Sequence, residues 1–252
     1  MKLSGNTLLI TGGGSGIGGA IAQRFHDLGN TVIVSGRRKD ALQKIVAGRE
    51  RMHALPLDIE NVESISACVK KALEIAPSLN VLINNAGIMR FEALDHHRDL
   101  SDAEAMIDTN VLGPIRLTNA LIDHLVQQPN AVIVNVSSIL AFVPLVATPT
   151  YSATKAAIHS YTVSLREALR NRVEVIELAP PAVQTDLTPG QSTRAGYLPL
   201  HAYADEVIKL FQQQPTPEEI VVEKAKPMRF AEADKKFDVL FKMINPPSRQ
   251  TK

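Results

Sequence analysis

Thr7-Leu-Leu-Ile-Thr11, then Gly12-Gly-Gly-Ser-Gly-Ile-Gly18, then Ala20-Ile-Ala-Gln-Arg-Phe-His-Asp-Leu28 form one continuous reading near the start of the chain. The first run is short, apolar and β-branched, as a strand buried on both faces is. The last has apolar residues at helical spacing and stops at Gly29-Asn30, a C-cap signal. A glycine turn between a strand and a helix sets helix N-terminal amides where a phosphate can meet them.

The same alternation continues outward from this unit. Strands are predicted at Thr31–Ser35, near His53–Leu57, at Val81–Asn84, Ala131–Val136, Val173–Leu178 and Glu219–Val222. Helices are predicted at Asp40–Val46, near Val62–Glu74, Asp102–Gln127, at Tyr151–Arg170, near Ala204–Gln212 and Ala231–Met243. Alternating strands and helices call for parallel pairing with right-handed crossovers. The expected fold is therefore α/β: one doubly wound, Rossmann-type sheet of seven parallel strands with helices on both faces. No linker breaks the chain, so residues 1–252 are read as one domain. Residues 181–200, rich in Pro, Gly, Gln, Ser and Thr, suit a mobile lid, and the tail 246–252 is expected to fray.

Composition narrows the function. With 252 residues and 45% hydrophobic content the chain can bury a large core. A formal net charge of +1 gives no general pull toward nucleic acid or an acidic membrane. The single cysteine, Cys68, suits a reducing cytoplasm and reads as a small helix residue. No signal peptide precedes the first strand, and no run reaches the roughly 18 apolar residues of a membrane span. The seven histidines show no metal-ligand spacing, so no metal is expected. Gly-x-Ser-x-Gly is absent, which disfavours Ser138 as a hydrolase nucleophile.

The glycine spacing is Gly12-x-x-x-Gly16-Ile17-Gly18, and it lacks the Lys-Ser/Thr of a triphosphate loop. A tight turn alone could require such glycines; their place between strand and helix is what favours a cofactor. The second strand ends Ser35-Gly36-Arg37-Arg38, without the acid that would hold a ribose 2′-hydroxyl. Two guanidiniums can instead meet a 2′-phosphate with bidentate charge-assisted bonds, although an exposed basic turn would read the same way. NADP(H) is favoured over NAD(H).

Further on, Ser138 precedes Tyr151-Ser-Ala-Thr-Lys155, and residues 151 and 155 share a helix face one turn apart. A free phenol titrates at about 10, poorly matched to acid/base work at neutral pH. An ammonium about 4 Å away is worth roughly 4 kcal/mol at an effective dielectric of about 20. That is enough to lower a phenol by up to ~3 pH units before desolvation opposes it.

Assembled in order, these motifs resemble the short-chain dehydrogenase/reductase family over nearly the whole chain. Gly12, Ser15, Gly16, Ile17 and Gly18 resemble its cofactor turn, Asp58-Ile59 its adenine-contacting pair, and Asn84-Asn85-Ala86-Gly87 the close of its fourth strand. Asn110, Ser138, Tyr151 and Lys155 fall where that family carries its catalytic tetrad. The resemblance implies Tyr151 as acid/base and Lys155 on the nicotinamide ribose. It also implies Ser138 donating to the substrate oxygen, and Asn110 holding a relay water. Pro180-Pro181 stands where the family has Pro-Gly, so cofactor contacts are expected at Val183 and Thr185 more firmly than at Pro181. Residues 177–187 and 225–230 are similar to a bacterial subgroup named for an operon of D-alanyl lipoteichoic acid synthesis.

The expected activity is hydride transfer between NADP(H) and a carbonyl or secondary alcohol. Ile139–Val146, Met89, Phe91, Leu187, Tyr197 and Leu198 suggest an apolar small molecule, though residues 142–146 could equally be core or a subunit contact. A non-catalytic NADP(H)-binding sensor or scaffold of the same fold is the alternative, and a sugar-nucleotide epimerase would need a longer chain. The family forms homodimers and homotetramers through its long helices, so one of these is expected; a monomer on sedimentation would refute it.

Overall fold

A computed structural model describes residues 1–246. The strands are β1 (Thr7–Thr11), β2 (Thr31–Gly36), β3 (Met52–Pro56), β4 (Val81–Asn84), β5 (Val132–Val136), β6 (Glu174–Leu178) and β7 (Glu219–Ile220). They form one parallel sheet of seven strands in the order β3-β2-β1-β4-β5-β6-β7. Side chains alternate across it: Leu8, Ile10, Val32 and Val34 enter one apolar layer, while Leu9 and Ile33 enter the other. Both faces are covered, as a parallel sheet requires.

Helices α1 (Gly16–Asp27), α2 (Lys39–Val46) and, late in the chain, α7 (Leu200–Phe211) cover one face. There Phe25 and Phe211 meet edge to face at 5.6 Å. Between them in sequence, α3 (Val62–Ile75), α4 (Ser101–Ile107), α5 (Gly113–Leu125) and α6 (Pro149–Ala168) lie on the other side. Cys68 is buried on α3, where burial pushes its thiol up to about 11; it is a packing residue with no nucleophilic character at neutral pH. The short α8 (Lys226–Arg229) and α9 (Phe237–Ile244) pack Met228, Phe237, Leu240 and Phe241 around the buried Val143. None of the helices described is long and apolar enough to cross a membrane.

Strand order reverses between β2 and β4, the neighbours of β1. The crevice beyond the C-terminal ends of these strands is where open α/β sheets hold ligands.

Two expected helices differ. The helix predicted over 102–127 is interrupted by a π-helical turn, Asp108–Leu112, in which the Gly113 N–H reaches the Asp108 carbonyl. Pro114 has no N–H to offer the Asn110 carbonyl four residues back, and Asn110 itself is held sideways by the β4 loop. The last predicted helix, 231–243, begins only at Phe237. Ala231 is buried, and the Lys236 N–H returns to its carbonyl through a turn that puts Lys235 at φ 56°. Anchoring of Ala231 overrides the helix propensity of the following residues. The last strand is likewise confined to Glu219–Ile220. Of the predicted tail, residues 247–252 lie outside the described part.

Candidate active site

The glycine turn makes the first wall. Gly12 and Gly16 adopt φ +65° and +53°, the left-handed region. A Cβ on Gly12 would meet Ala86 Cα at 3.0 Å, so the turn lies against the loop after β4. That loop is clamped by Thr11, whose hydroxyl accepts from the N–H of Asn85 at 3.0 Å and of Ala86 at 2.9 Å. The Asn85 amide returns the contact to the Thr11 carbonyl at 2.9 Å. Ser15 is extended and caps α1 without a side-chain bond, and no acid stands in the first turn. The leading N–H groups and the helix dipole are thus available to an anion.

This wall continues into a cavity of about 520 Å³. Of the residues singled out from sequence, Gly12, Ser15, Gly16, Ile17, Arg37, Arg38, Ile59, Asn85, Ala86, Gly87, Ser138, Tyr151, Lys155, Pro181, Val183 and Thr185 line it. Gly18, Asp58 and Asn110 are not on its wall. A Cβ on Gly18 would fall 2.4 Å from Asn85 Nδ2 and 2.6 Å from the Gly12 carbonyl, so Gly18 serves close packing. Asp58 bonds its own turn, accepting from the N–H of Glu60 at 3.2 Å.

At the end of β2 both arginines are exposed. Arg38 Nη2 donates to Ser15 Oγ at 2.6 Å, and Arg37 Nη1 stands 3.7 Å from Glu60. The cradle of glycines and the uncapped helix terminus fit the phosphates of a dinucleotide, and the two cations stand beside them.

The opposite wall carries Ser138, Tyr151 and Lys155. Ser138 ends β5 and caps a 3₁₀ turn, accepting from the Leu140 N–H at 3.1 Å. Tyr151 and Lys155 lie a turn apart on α6, with the Lys155 Nζ 5.6 Å from the Tyr151 ring centre. Lys155 donates to the Val136 carbonyl at 2.8 Å. A Cβ on Gly87 would come within 3.6 Å of that ammonium, so glycine leaves room there.

The electrostatics differ from the expectation that Lys155 lowers the phenol. Burial pushes Tyr151 up to about 12, with a Ser138 hydrogen bond opposing, and pulls Lys155 down to about 8, with Glu177 opposing. Desolvation dominates both shifts, and the ammonium is turned toward the Val136 carbonyl. The phenol is therefore neutral and the ammonium charged at neutral pH.

Asn110 is committed to structure through its side chain. Its Oδ1 accepts from the Ile88 N–H and its Nδ2 donates to the Ile88 carbonyl, both at 2.9 Å. A further bond at 3.2 Å reaches Thr154 on α6. Asn110 thus ties the π turn, the β4 loop and α6 together.

The region 181–200 is pinned: Val183 bridges to Leu198, and the buried Gln191 amide donates to the Val183 carbonyl at 2.8 Å and to Thr185 at 3.1 Å. Of the suggested apolar set, Leu187 alone lines the cavity. Val143 is core, Phe142 lies under Arg229 at 4.4 Å, and Phe91 and Val146 face solvent. Ile88 and Arg90 line the wall instead. Ser137 and Gln191 also line the cavity, and neither belongs to a motif in the sequence.

Comparison with known proteins agrees with this geometry. Residues 6–195 match the family model described as short chain dehydrogenase. The uncharacterized oxidoreductase DltE of Bacillus subtilis (strain 168) is 37% identical over 252 residues, covering 97% of this chain and 98% of that protein. A short chain dehydrogenase from Burkholderia cenocepacia J2315, solved in complex with NADP, superposes with a TM-score of 0.82 at 26% identity, covering 98% of this chain and 100% of its own. The 3-ketoacyl-(acyl-carrier-protein) reductase from Brucella melitensis, solved with NADH, gives 0.78 at 27% identity over 86% of this chain and 96% of its own.

Proposed function

The chain belongs to the short-chain dehydrogenase family of oxidoreductases, and from that premise we propose that it is an NADP(H)-dependent enzyme acting on CH–OH or C=O groups of a small molecule. The observation that carries the proposal is one cavity with Arg37 and Arg38 on one wall and Ser138, Tyr151 and Lys155 on another. Bound nicotinamide would supply or accept the hydride. What the chain supplies is a binding surface and one managed proton.

In this reading Gly12, Ser15, Gly16, Ile17, Asn85, Ala86, Gly87, Pro181, Val183 and Thr185 line the dinucleotide, with Gly18, Asp58 and Ile59 supporting it. The arginines meet the 2′-phosphate. Ser138 hydrogen-bonds the substrate oxygen as charge develops there. Tyr151 gives that oxygen its proton, and Lys155 holds the ribose and stabilises the phenolate left behind. Asn110 supports the relay through its main-chain carbonyl, the group that Pro114 cannot engage. A neutral phenol beside a charged lysine suits carbonyl reduction at neutral pH. Ile88 and Leu187 offer apolar contact to the substrate. We place the protein in the cytoplasm as a single-domain homodimer or homotetramer; exposed Ile107 on α4 and Val163 on α6 support association.

Purified protein mixed with NADPH and a panel of ketones should deplete the reduced-nicotinamide absorbance. Tyr151→Phe should lower that rate by about 10²–10⁴-fold with NADPH affinity retained. Undiminished turnover in the variant would refute the mechanism. Tight NADPH binding without turnover on any ketone would favour the sensor or scaffold.

A further inference from the structure

Beneath the cavity lies a charge that these roles leave unused. Glu177 sits within β6, opposite Asn135 in register, and its side chain is 0% exposed. A lone carboxylate in that setting costs several kcal/mol, so its partners define it. The Ser137 hydroxyl donates to Oε1, and His159 Nδ1 lies 2.7 Å from Oε2. Ser137 directly follows Val136, the residue whose carbonyl holds the Lys155 ammonium. His159 stands one turn beyond Lys155, so Tyr151, Lys155 and His159 form a single face of α6. The carboxylate is thus fastened on both sides to the immediate neighbours of the ammonium.

We propose that Glu177 is the buried counter-charge of Lys155, a positioning residue that Ser137 and His159 hold beneath the cavity so that the lysine remains a cation there. The inference rests on reading Lys155 as the partner of Tyr151.

The other charged or titratable groups facing this pair are Tyr151 and His159 on α6, Glu219 on β7 and Arg229 on α8. Ligand atoms of His159, Glu177 and Glu219 lie within 4.8 Å of one another, a spacing that would suit a metal. Glu219 is already taken, however: the Arg229 guanidinium makes two hydrogen bonds to it. That pairing commits the Arg229 hydrogen bonds to Glu219, so that the Glu177 charge is met by His159, by Lys155 and, without a hydrogen bond, by the field of Arg229. Consistently, burial lowers the Lys155 ammonium to about 8 and Glu177 opposes that fall.

Lysine side-chain NMR of the ligand-free protein tests this directly, with the Lys155 signal assigned by its loss in Lys155→Arg. The wild-type titration should centre near about 8. In Glu177→Gln it should move down by about one pH unit, a roughly tenfold loss of proton affinity. Glu177→Met serves the same purpose if the amide fails to fold, and Glu177→Asp should restore most of the shift. An unchanged midpoint in the uncharged variants would overturn the proposal. In turnover, the alkaline limb should move down in parallel in Glu177→Gln. A shifted midpoint in a protein with no turnover would uphold the counter-charge and defeat the oxidoreductase reading; turnover with an unshifted midpoint would do the reverse.

Discussion

Two buried groups on one helix face respond to pH in opposite directions. Lys155 is held at about 8 against an ordinary 10.5, so between those values the unfolded chain binds more protons, and this group's contribution to stability rises with pH. Tyr151 is raised from 10 to about 12, so in that window the folded state keeps a proton that the unfolded chain loses, and stability falls as pH rises. The proposed preference for NADPH also rests on single residues. Arg37→Ala removes an exposed guanidinium that stands 3.7 Å from Glu60, and should weaken NADPH binding by about ten- to a hundredfold while barely changing NADH. Equal losses in a fluorescence titration would undo the 2′-phosphate assignment. Tyr151 and Lys155 were legible because a four-residue spacing on a helix puts them on one face, and Ser138 joined them through the family resemblance. Glu177 was not, although an acid between Ile176 and Leu178 in an otherwise apolar strand is a signal in itself. Its partners Ser137 and His159 come from other elements, and only folding brings them to it.

The junctions after β1 to β6 each contribute a part of the site, and the first is closely packed. Gly18→Ala drives a methyl against Asn85 Nδ2 and the Gly12 carbonyl, atoms that the Thr11 clamp holds in place. Overpacking of this kind costs about 1–3 kcal/mol. The thermal midpoint should fall by several degrees, roughly 2–4 °C per kcal/mol for a chain of this size. An unchanged midpoint would mean that α1 can slide away from the β4 loop. The strands were readable because burial on both faces makes them continuous apolar runs. The break at Asp108–Leu112 was not, since it depends on Asn110 gripping Ile88; Pro114 was its sole trace in the sequence. The helix expected over 231–243 failed for the same kind of reason, a tertiary anchor at Ala231.

Across the whole molecule, sheet order turns separated stretches into one surface. Alternation and right-handed crossovers predict a doubly wound parallel sheet that holds ligands beyond its strand C-termini, so the end of the molecule carrying the site was readable, while the strand order that sets β1 beside β4 was not. The shape of the substrate end was not: the apolar residues that looked like a pocket mostly fill the core or face solvent, and Ile88, Arg90 and Leu187 line the cavity instead. Loop direction after a strand is a tertiary property that periodicity does not carry. The proposed hydride transfer between a nicotinamide and a carbonyl in this cavity leaves an atomic trace. NADPH deuterated at nicotinamide C4, on either face in turn, can be incubated with a ketone that is turned over, and the alcohol product examined by mass spectrometry and NMR. Transfer from one face should put deuterium on the carbinol carbon, and Tyr151→Phe should suppress it; an alcohol without label from either face would contradict the account.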